Sequence, residues 1–197
     1  MQQSAPGMRL ILASASPRRA EILRNAAIAF EVVPATVDES QRIGETPETH
    51  VRRLAIAKVR AVAAGVVPPA LVLGADTAVL VDTLMLAKPA SAEDARRMLR
   101  LLRGRTHEVL TGVALLRLPE GELLVEHERT RVTFAALSDT EVDDYIASGE
   151  PFDKAGGYAI QGRAGRFIPR IEGCYFNVVG LPLARVYRML CELGWET

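Results

Sequence analysis

Short apolar runs alternate with longer stretches whose apolar residues recur every three or four positions, a pattern that predicts a mixed α/β chain. Arg9 to Ala13 (RLILA) is a strand-like run cut off by Ser14-Ala15-Ser16-Pro17, where serine can cap and proline can take the first helical position. The reading is strand, tight turn, helix. Phe30 to Pro34 suggests a second strand, and Val37 to Thr46 is polar and irregular, as a surface loop is. Thr46-Pro47-Glu48 opens a longer helix. Ala70 to Leu86 follows, an apolar strand or hairpin interrupted at Gly74-Ala75-Asp76-Thr77 and at Asp82-Thr83. Ser91-Ala92-Glu93-Asp94 starts a helix whose Ala95, Met98, Leu99 and Leu102 share a stripe that Gly104 ends. Val109 to Leu118 and Leu123 to Leu137, split by Pro119-Glu120-Gly121-Glu122, predict an antiparallel hairpin. Ser138-Asp139-Thr140-Glu141 is a capping box for a helix ending near Gly149. Gly156 to Gly165 reads as loop, and Pro182 begins a last helix with Leu183, Val186, Tyr187 and Leu190 on one face and Gly194 at its end.

No repeat, linker or low-complexity segment divides the 197 residues, so the chain reads as one compact unit. Basic and acidic residues both number 24, which removes any overall field toward nucleic acid or membrane and makes an anion site a local matter. Aromatic content of 5% also argues against a stacking surface for nucleic acid. Cys174 and Cys191 have neither metal-ligand spacing nor a disulfide framework and read as packing residues in a reducing compartment. Met1 to Gly7 lacks the pattern of a secretory leader, and no apolar run reaches the ~18 residues of a membrane span, so the expected location is the cytoplasm. The three histidines are too scattered for a zinc site, and the phosphate-binding G-x-x-x-x-G-K-[ST], dinucleotide G-x-G-x-x-G and nucleophile-elbow G-x-S-x-G patterns are missing.

Four places carry charge where local rules disfavour it, and such places mark candidate sites. Arg18 and Arg19 fall in the first turn of a helix, where the dipole favours negative charge. With the Ser14-Ala15-Ser16 turn they form either a phosphate cradle or a solvated basic pair. On a wheel of 100° per residue, Lys58 lies within the stripe of Val51, Leu54, Ala55 and Val62, while Arg52, Arg53 and Arg60 lie on the other side. A lysine on that face must pair with an acid, reach out to water or line a polar cleft. Asp76 closes the buried-looking run Leu71 to Ala75, where α/β enzymes place chemistry, although Gly74 also allows an aspartate satisfied by a turn. Lys88, before Pro89, could bring a positive charge to the same mouth. Last, Glu150 to Gly162 mixes glycines with acid, base and amide side chains, as ligand-holding loops do and some solvated loops do as well.

Five strings in order resemble the Maf family: Leu12-Ala13-Ser14-Ala15-Ser16-Pro17-Arg18-Arg19, Gly74-Ala75-Asp76-Thr77, Lys88-Pro89, Thr111-Gly112-Val113, and Asp153-Lys154-Ala155-Gly156-Gly157-Tyr158-Ala159-Ile160-Gln161-Gly162. The resemblance runs from about Met8 to Gly194, leaving residues 1–7 as an N-terminal extension and 8–197 as one domain of that type. It implies a mixed α/β fold with an elongated, curved sheet flanked by helices and a cleft between two lobes, similar to the inosine triphosphate pyrophosphatases. The implied activity is hydrolysis of nucleoside triphosphates to monophosphate and pyrophosphate with a divalent metal, Mg²⁺ or Mn²⁺. By the same resemblance Asp76 is the proton acceptor, with Glu39 and Lys58 beside it, and Glu39 and Asp76 hold the metal. Ser14, Ser16, Arg18, Arg19, Lys88 and Lys154 bind the substrate. Arg18, Thr77 and Gln161 match the branch that prefers thymidine and uridine triphosphates. A carboxamide offers one donor and one acceptor, which suits O4 and N3–H of such a base. Only Met1 to Gly7 and the composition of Val66 to Pro69 depart from the family pattern, and neither touches a motif. The family often forms dimers, and a homodimer is one assembly it implies. A nucleotide-binding regulator of cell division without turnover is the alternative reading; it would keep Arg18 and Arg19 but have no use for Asp76.

Overall fold

In a computed structural model, which describes residues 8–195, the chain is mixed α/β; the expected extension over residues 1–7 lies outside the described part. The strands are β1 (Arg9–Leu12), β2 (Glu31–Val32), β3 (Ala70–Val81), β4 (Leu84–Leu86), β5 (Thr106–Leu118), β6 (Leu123–Thr133) and β7 (Arg170–Glu172). They form one mixed sheet in the order β2-β1-β3-β5-β6-β7, with β4 paired to β3. The helices are α1 (Pro17–Asn25), α2 (Pro47–Ala63), α3 (Ala92–Leu102), α4 (Asp139–Ala147), α5 (Tyr175–Val179) and α6 (Leu183–Glu192). Among the described residues no helix is long and apolar enough to cross a membrane.

Polar punctuation places the helix starts as expected. The Thr46 and Ser91 side chains accept from the amides of Thr49 and Asp94, and Ser138 with Glu141 closes a reciprocal capping box. Pro17 takes the first position of α1, but the Ser16 hydroxyl caps nothing there. The Ser16 amide instead donates to Ser14 Oγ at 3.2 Å.

By internal contacts the chain forms two compact units. The first contains the chain up to Asp76, Gly112–His127 and the C-terminal part from Gly180. Here β1 pairs in parallel with both β2 and β3, with Leu10 opposite Leu71 and Leu12 opposite Leu73. Buried on both faces, β1 from Leu10 to Leu12 and β3 from Ala70 to Ala75 are near-continuous apolar runs, while the two residues of β2 are exposed. Ile11, Ala13 and Val72 pack with Ala55, Val59 and Val62 of α2. Two glycines allow that approach: a Cβ on Gly74 would lie 2.6 Å from the Ala55 carbonyl oxygen, and one on Gly112 would lie 2.4 Å from that of Val51.

The second unit contains Thr77–Thr111 and Glu128–Val179. Its core gathers Val79, Met98, Leu99 and Leu102 with Val132, Phe134, Val142 and Tyr145. His107 is buried in this unit, Nε2 2.7 Å from Tyr158 Oη, with the Phe134 and Tyr158 rings edge-on at 5.4 Å each.

Several sequence expectations need correction. Strand β3 runs unbroken through Gly74 to Thr77, because that glycine serves helix approach and not a turn; the chain turns only at Asp82-Thr83, before β4. The second strand shrinks to Glu31–Val32, and β6 ends at Thr133, since the Phe134 amide bonds to the Arg105 carbonyl and that of Ala135 to Phe167. On α6 Tyr187 is exposed, and Val186, Met189 and Leu190 form the buried stripe. The loop expected over Gly156–Gly165 contains short 3-10 turns at Ala155–Gly157 and Arg163–Phe167. Cys191 is exposed, so packing does not explain it.

Candidate active site

Asp76 sits in the middle of β3, not at its end, directly after residues Leu71 to Leu73 and Ala75 that are sealed from solvent. Its own exposure is 8%. The apolar face of α2 lies over this part of the strand, so the lysine placed within that face has one polar direction open to it. Lys58 Nζ donates to Asp76 Oδ1 at 2.7 Å and meets Glu39 Oε1 at 2.7 Å. Of the alternatives open for this lysine, the structure shows the acid pair, and with two acids. Burial of the ammonium is thereby balanced, which an unpaired lysine could not achieve. Glu39 comes from the irregular loop after β2 and is the exposed member of the triangle, its side chain 53% accessible against 12% for Asp76.

The first turn of α1 supplies a second group in the same unit. Arg19 is buried: its Nε donates to the Gly180 carbonyl at 2.8 Å and its Nη1 to Ser14 Oγ at 3.1 Å. Burial pulls its pKa below the ordinary arginine value and the neighbouring Arg18 adds to this, while the charges of Asp76 and Glu39 oppose it. The guanidinium thus senses both carboxylates of the triangle. Arg18 and Ser16 are half-buried beside it. The serine–arginine turn and the acidic pair therefore belong to one structural unit, with Ser14, Ser16, Arg18, Arg19, Glu39, Lys58 and Asp76 all in it.

The other candidates lie in the second unit. Thr77 follows Asp76 along β3, and its hydroxyl is 3.0 Å from that of Thr111, which donates to the Asn177 carbonyl at 3.2 Å. Asn177 Nδ2 in turn donates to the Val109 carbonyl and to Thr130 Oγ1. Lys88 and Gln161 are exposed. Lys154 donates to the Glu150 carbonyl at 2.7 Å and pairs with Asp153, so its ammonium also braces its own loop. The buried hydroxyl of Thr111 and amide of Asn177 hold Thr77 in this network, a link that has no pattern in the sequence.

The donor set suits a hard divalent cation. Two carboxylates, Glu39 and Asp76, converge on the position of one ammonium, and ions such as Mg²⁺ take one or two carboxylates together with phosphate and water oxygens. No group of three or more His, Cys, Asp or Glu able to hold a metal occurs among the described residues, so the rest of the coordination shell would come from substrate and solvent.

The model of the family described as "Maf-like protein" matches residues 9–193. The chain is 57% identical over 188 residues to the dTTP/UTP pyrophosphatase of Koribacter versatilis, covering 95% of this chain and 96% of that protein. It is 50% identical over 186 residues to the protein of the same name from Moorella thermoacetica, covering 94% and 95%. A solved nucleoside-triphosphatase / dITP/XTP pyrophosphatase from Mycobacterium abscessus is 19% identical over 95% of this chain and 98% of its own, with a TM-score of 0.47.

Proposed function

The chain belongs to the Maf-like protein family, and on that premise we propose that it is a nucleoside triphosphate pyrophosphatase acting on dTTP and UTP. The observation that carries the reading is the Lys58 ammonium held 2.7 Å from both Glu39 and Asp76, next to a buried arginine at a helix start. Cleavage of the anhydride between the α- and β-phosphates needs charge neutralisation and a directed water more than covalent catalysis. Asp76 takes the proton of a water aimed at the α-phosphorus; the new P–O bond forms as the bond to the bridging oxygen breaks, and pyrophosphate leaves with that oxygen. Lys58 fixes one carboxylate oxygen of Asp76, so the acceptor is aimed before substrate arrives. Ser14, Ser16, Arg18 and Arg19 bind the leaving phosphates, the serines as hydroxyl donors and the arginines as planar forks. Lys88 and Lys154 add charge to the substrate, and Thr77, Gln161 and Arg18 select the pyrimidine. A divalent cation held by Glu39 and Asp76 would supply Lewis-acid polarisation of the phosphate oxygens.

The test is pyrophosphate release from a panel of canonical and modified triphosphates with Mg²⁺ or Mn²⁺, wild type beside Asp76→Asn. A general base contributes about 10² or more, so a loss under about tenfold in a folded variant would remove Asp76 from that role. Release from guanine derivatives alone would keep the reaction and overturn the pyrimidine preference. Binding without release would favour the regulator.

A further inference from the structure

Glu39 stands on a stretch, from Val33 to Thr46, that forms no helix or strand, yet its carboxylate meets Lys58 at 2.7 Å. Something outside the loop must set its place. Arg53 does so from α2, five residues before Lys58. Its Nη2 donates to the Ser40 carbonyl at 3.0 Å, one residue beyond Glu39, and to Glu45 Oε2 at 2.9 Å, while its Nε donates to Glu45 Oε1 at 2.6 Å. One guanidinium therefore grips the loop at two points, and the fork geometry is what lets a single side chain do this.

Glu45 completes the clamp. It is nearly sealed from solvent, at 4% side-chain exposure, and also accepts from the Arg42 amide at 3.2 Å and faces His50 Nδ1 at 3.0 Å. Hydrogen bonds from Arg53 hold its carboxyl well below the usual carboxylate range, despite burial. A second local bond, from the Ser40 amide to Asp38 Oδ1 at 2.9 Å, stiffens the residues on either side of Glu39. The pair Arg53–Glu45 ties that loop to the same helix that carries Lys58.

We infer that Arg53 and Glu45 are positioning residues for catalysis, setting the place of the Glu39 carboxylate against Lys58 and Asp76; the inference rests on the pyrophosphatase reading. Neither side chain needs to touch substrate. Their contribution passes through Glu39, and so it must vanish when Glu39 is already disabled.

The experiment measures kcat and KM for dTTP in Arg53→Lys, Arg53→Ala, Glu45→Gln, Glu39→Gln and the double variants with Glu39→Gln, alongside amide hydrogen exchange over residues 38–42 and thermal melting. Arg53→Lys keeps the charge and loses the fork, so it stands in wherever Arg53→Ala does not fold. The expected result is a fall in kcat of about tenfold or more for the single clamp variants, faster exchange over residues 38–42, and less than about twofold further loss when they are combined with Glu39→Gln. Losses that multiply in the double variants would overturn the inference, as would full kcat in Arg53→Lys and Glu45→Gln. Wild type that releases no pyrophosphate would bring down the parent reading and the clamp together, whereas Glu39→Gln with undiminished kcat would overturn the clamp and leave the pyrophosphatase reading standing. A large Glu39→Gln effect with silent clamp variants would bring down the clamp alone.

Discussion

Between about pH 6.5 and 4, acidification is predicted to destabilise this fold through one buried histidine. His107 is 2% exposed, its Nε2 is bonded to Tyr158 Oη, and its buried Nδ1 has no hydrogen-bond partner among the described residues. Burial alone pulls its pKa from 6.5 down to about 4. Because the folded value lies below the unfolded one, the unfolded chain binds the extra proton first. Stability from this group is complete above about pH 6.5 and is lost as the pH falls toward 4. At about 1.4 kcal/mol per tenfold, the gap between 6.5 and about 4 is worth roughly 3 kcal/mol in full, of which about 2 kcal/mol is gone at pH 5. That is a large share of the stability of an ordinary domain. The assay is urea unfolding at pH 7.5, 6, 5 and 4.5 on wild type and on His107→Gln, which can still bond Tyr158 but does not titrate in this range. Carboxylates contribute equally to both proteins, so the difference between the two curves isolates the imidazole. Wild type should lose about 2 kcal/mol more than the variant between pH 7.5 and 5. Parallel curves would refute the argument, because they would mean that burial of this ring is not coupled to its protonation.

Gly112→Ala puts a Cβ 2.4 Å from the Val51 carbonyl, a backbone neighbour that cannot rotate away, so the thermal midpoint should fall by an amount equivalent to about 1–3 kcal/mol; an unchanged melt would show that α2 is not seated as tightly as described. Lys58→Met leaves the Asp76 carboxylate, 8% exposed, without its ammonium, and turnover of dTTP should drop by about 10² or more; a loss under tenfold would take Lys58 out of the chemistry. Gln161 is exposed, so Gln161→Ala should leave the melt unchanged while the ratio of kcat/KM for dTTP over dCTP falls about tenfold, and an unmoved ratio would deny it a part in base selection.

What the sequence disclosed follows from where the physics is local. Helix starts at Thr46, Ser91 and Ser138 depend on residues within one turn, and they were legible. Lys58 was conspicuous because a charge in an apolar stripe violates a local rule, though its two partners lie outside its helix, on a strand and on a loop. Arg53 was not conspicuous: it occupies the polar side of the same helix, as solvated arginines do, and its partial burial comes from the irregular loop before α2, which its guanidinium holds at Ser40 and Glu45. The length of β3 was hidden for a related reason. A glycine before an aspartate reads as a turn, and only the packed helix backbone 2.6 Å from its absent Cβ reveals that Gly74 makes room instead. Tyr187 was misplaced on α6 because a tyrosine satisfies both the apolar and the polar side of a wheel.

The triangle of Glu39, Lys58 and Asp76 joins three kinds of backbone, and each sets a different tolerance. Asp76 lies within a strand paired to β1 and covered by α2, and Lys58 lies within that helix, so their 2.7 Å contact is fixed by the packing of the core. Glu39 has no such frame and is the exposed corner. In a site that must take up a highly charged substrate and let pyrophosphate go, the acid on the loop is the one able to change partner without disturbing the core, and the acid on the strand is the one able to hold its aim. On the proposed mechanism that division gives proton transfer to Asp76 and exchange of ligands to Glu39, and it predicts that loosening the Arg53 grip on the loop lowers turnover separately from fold stability.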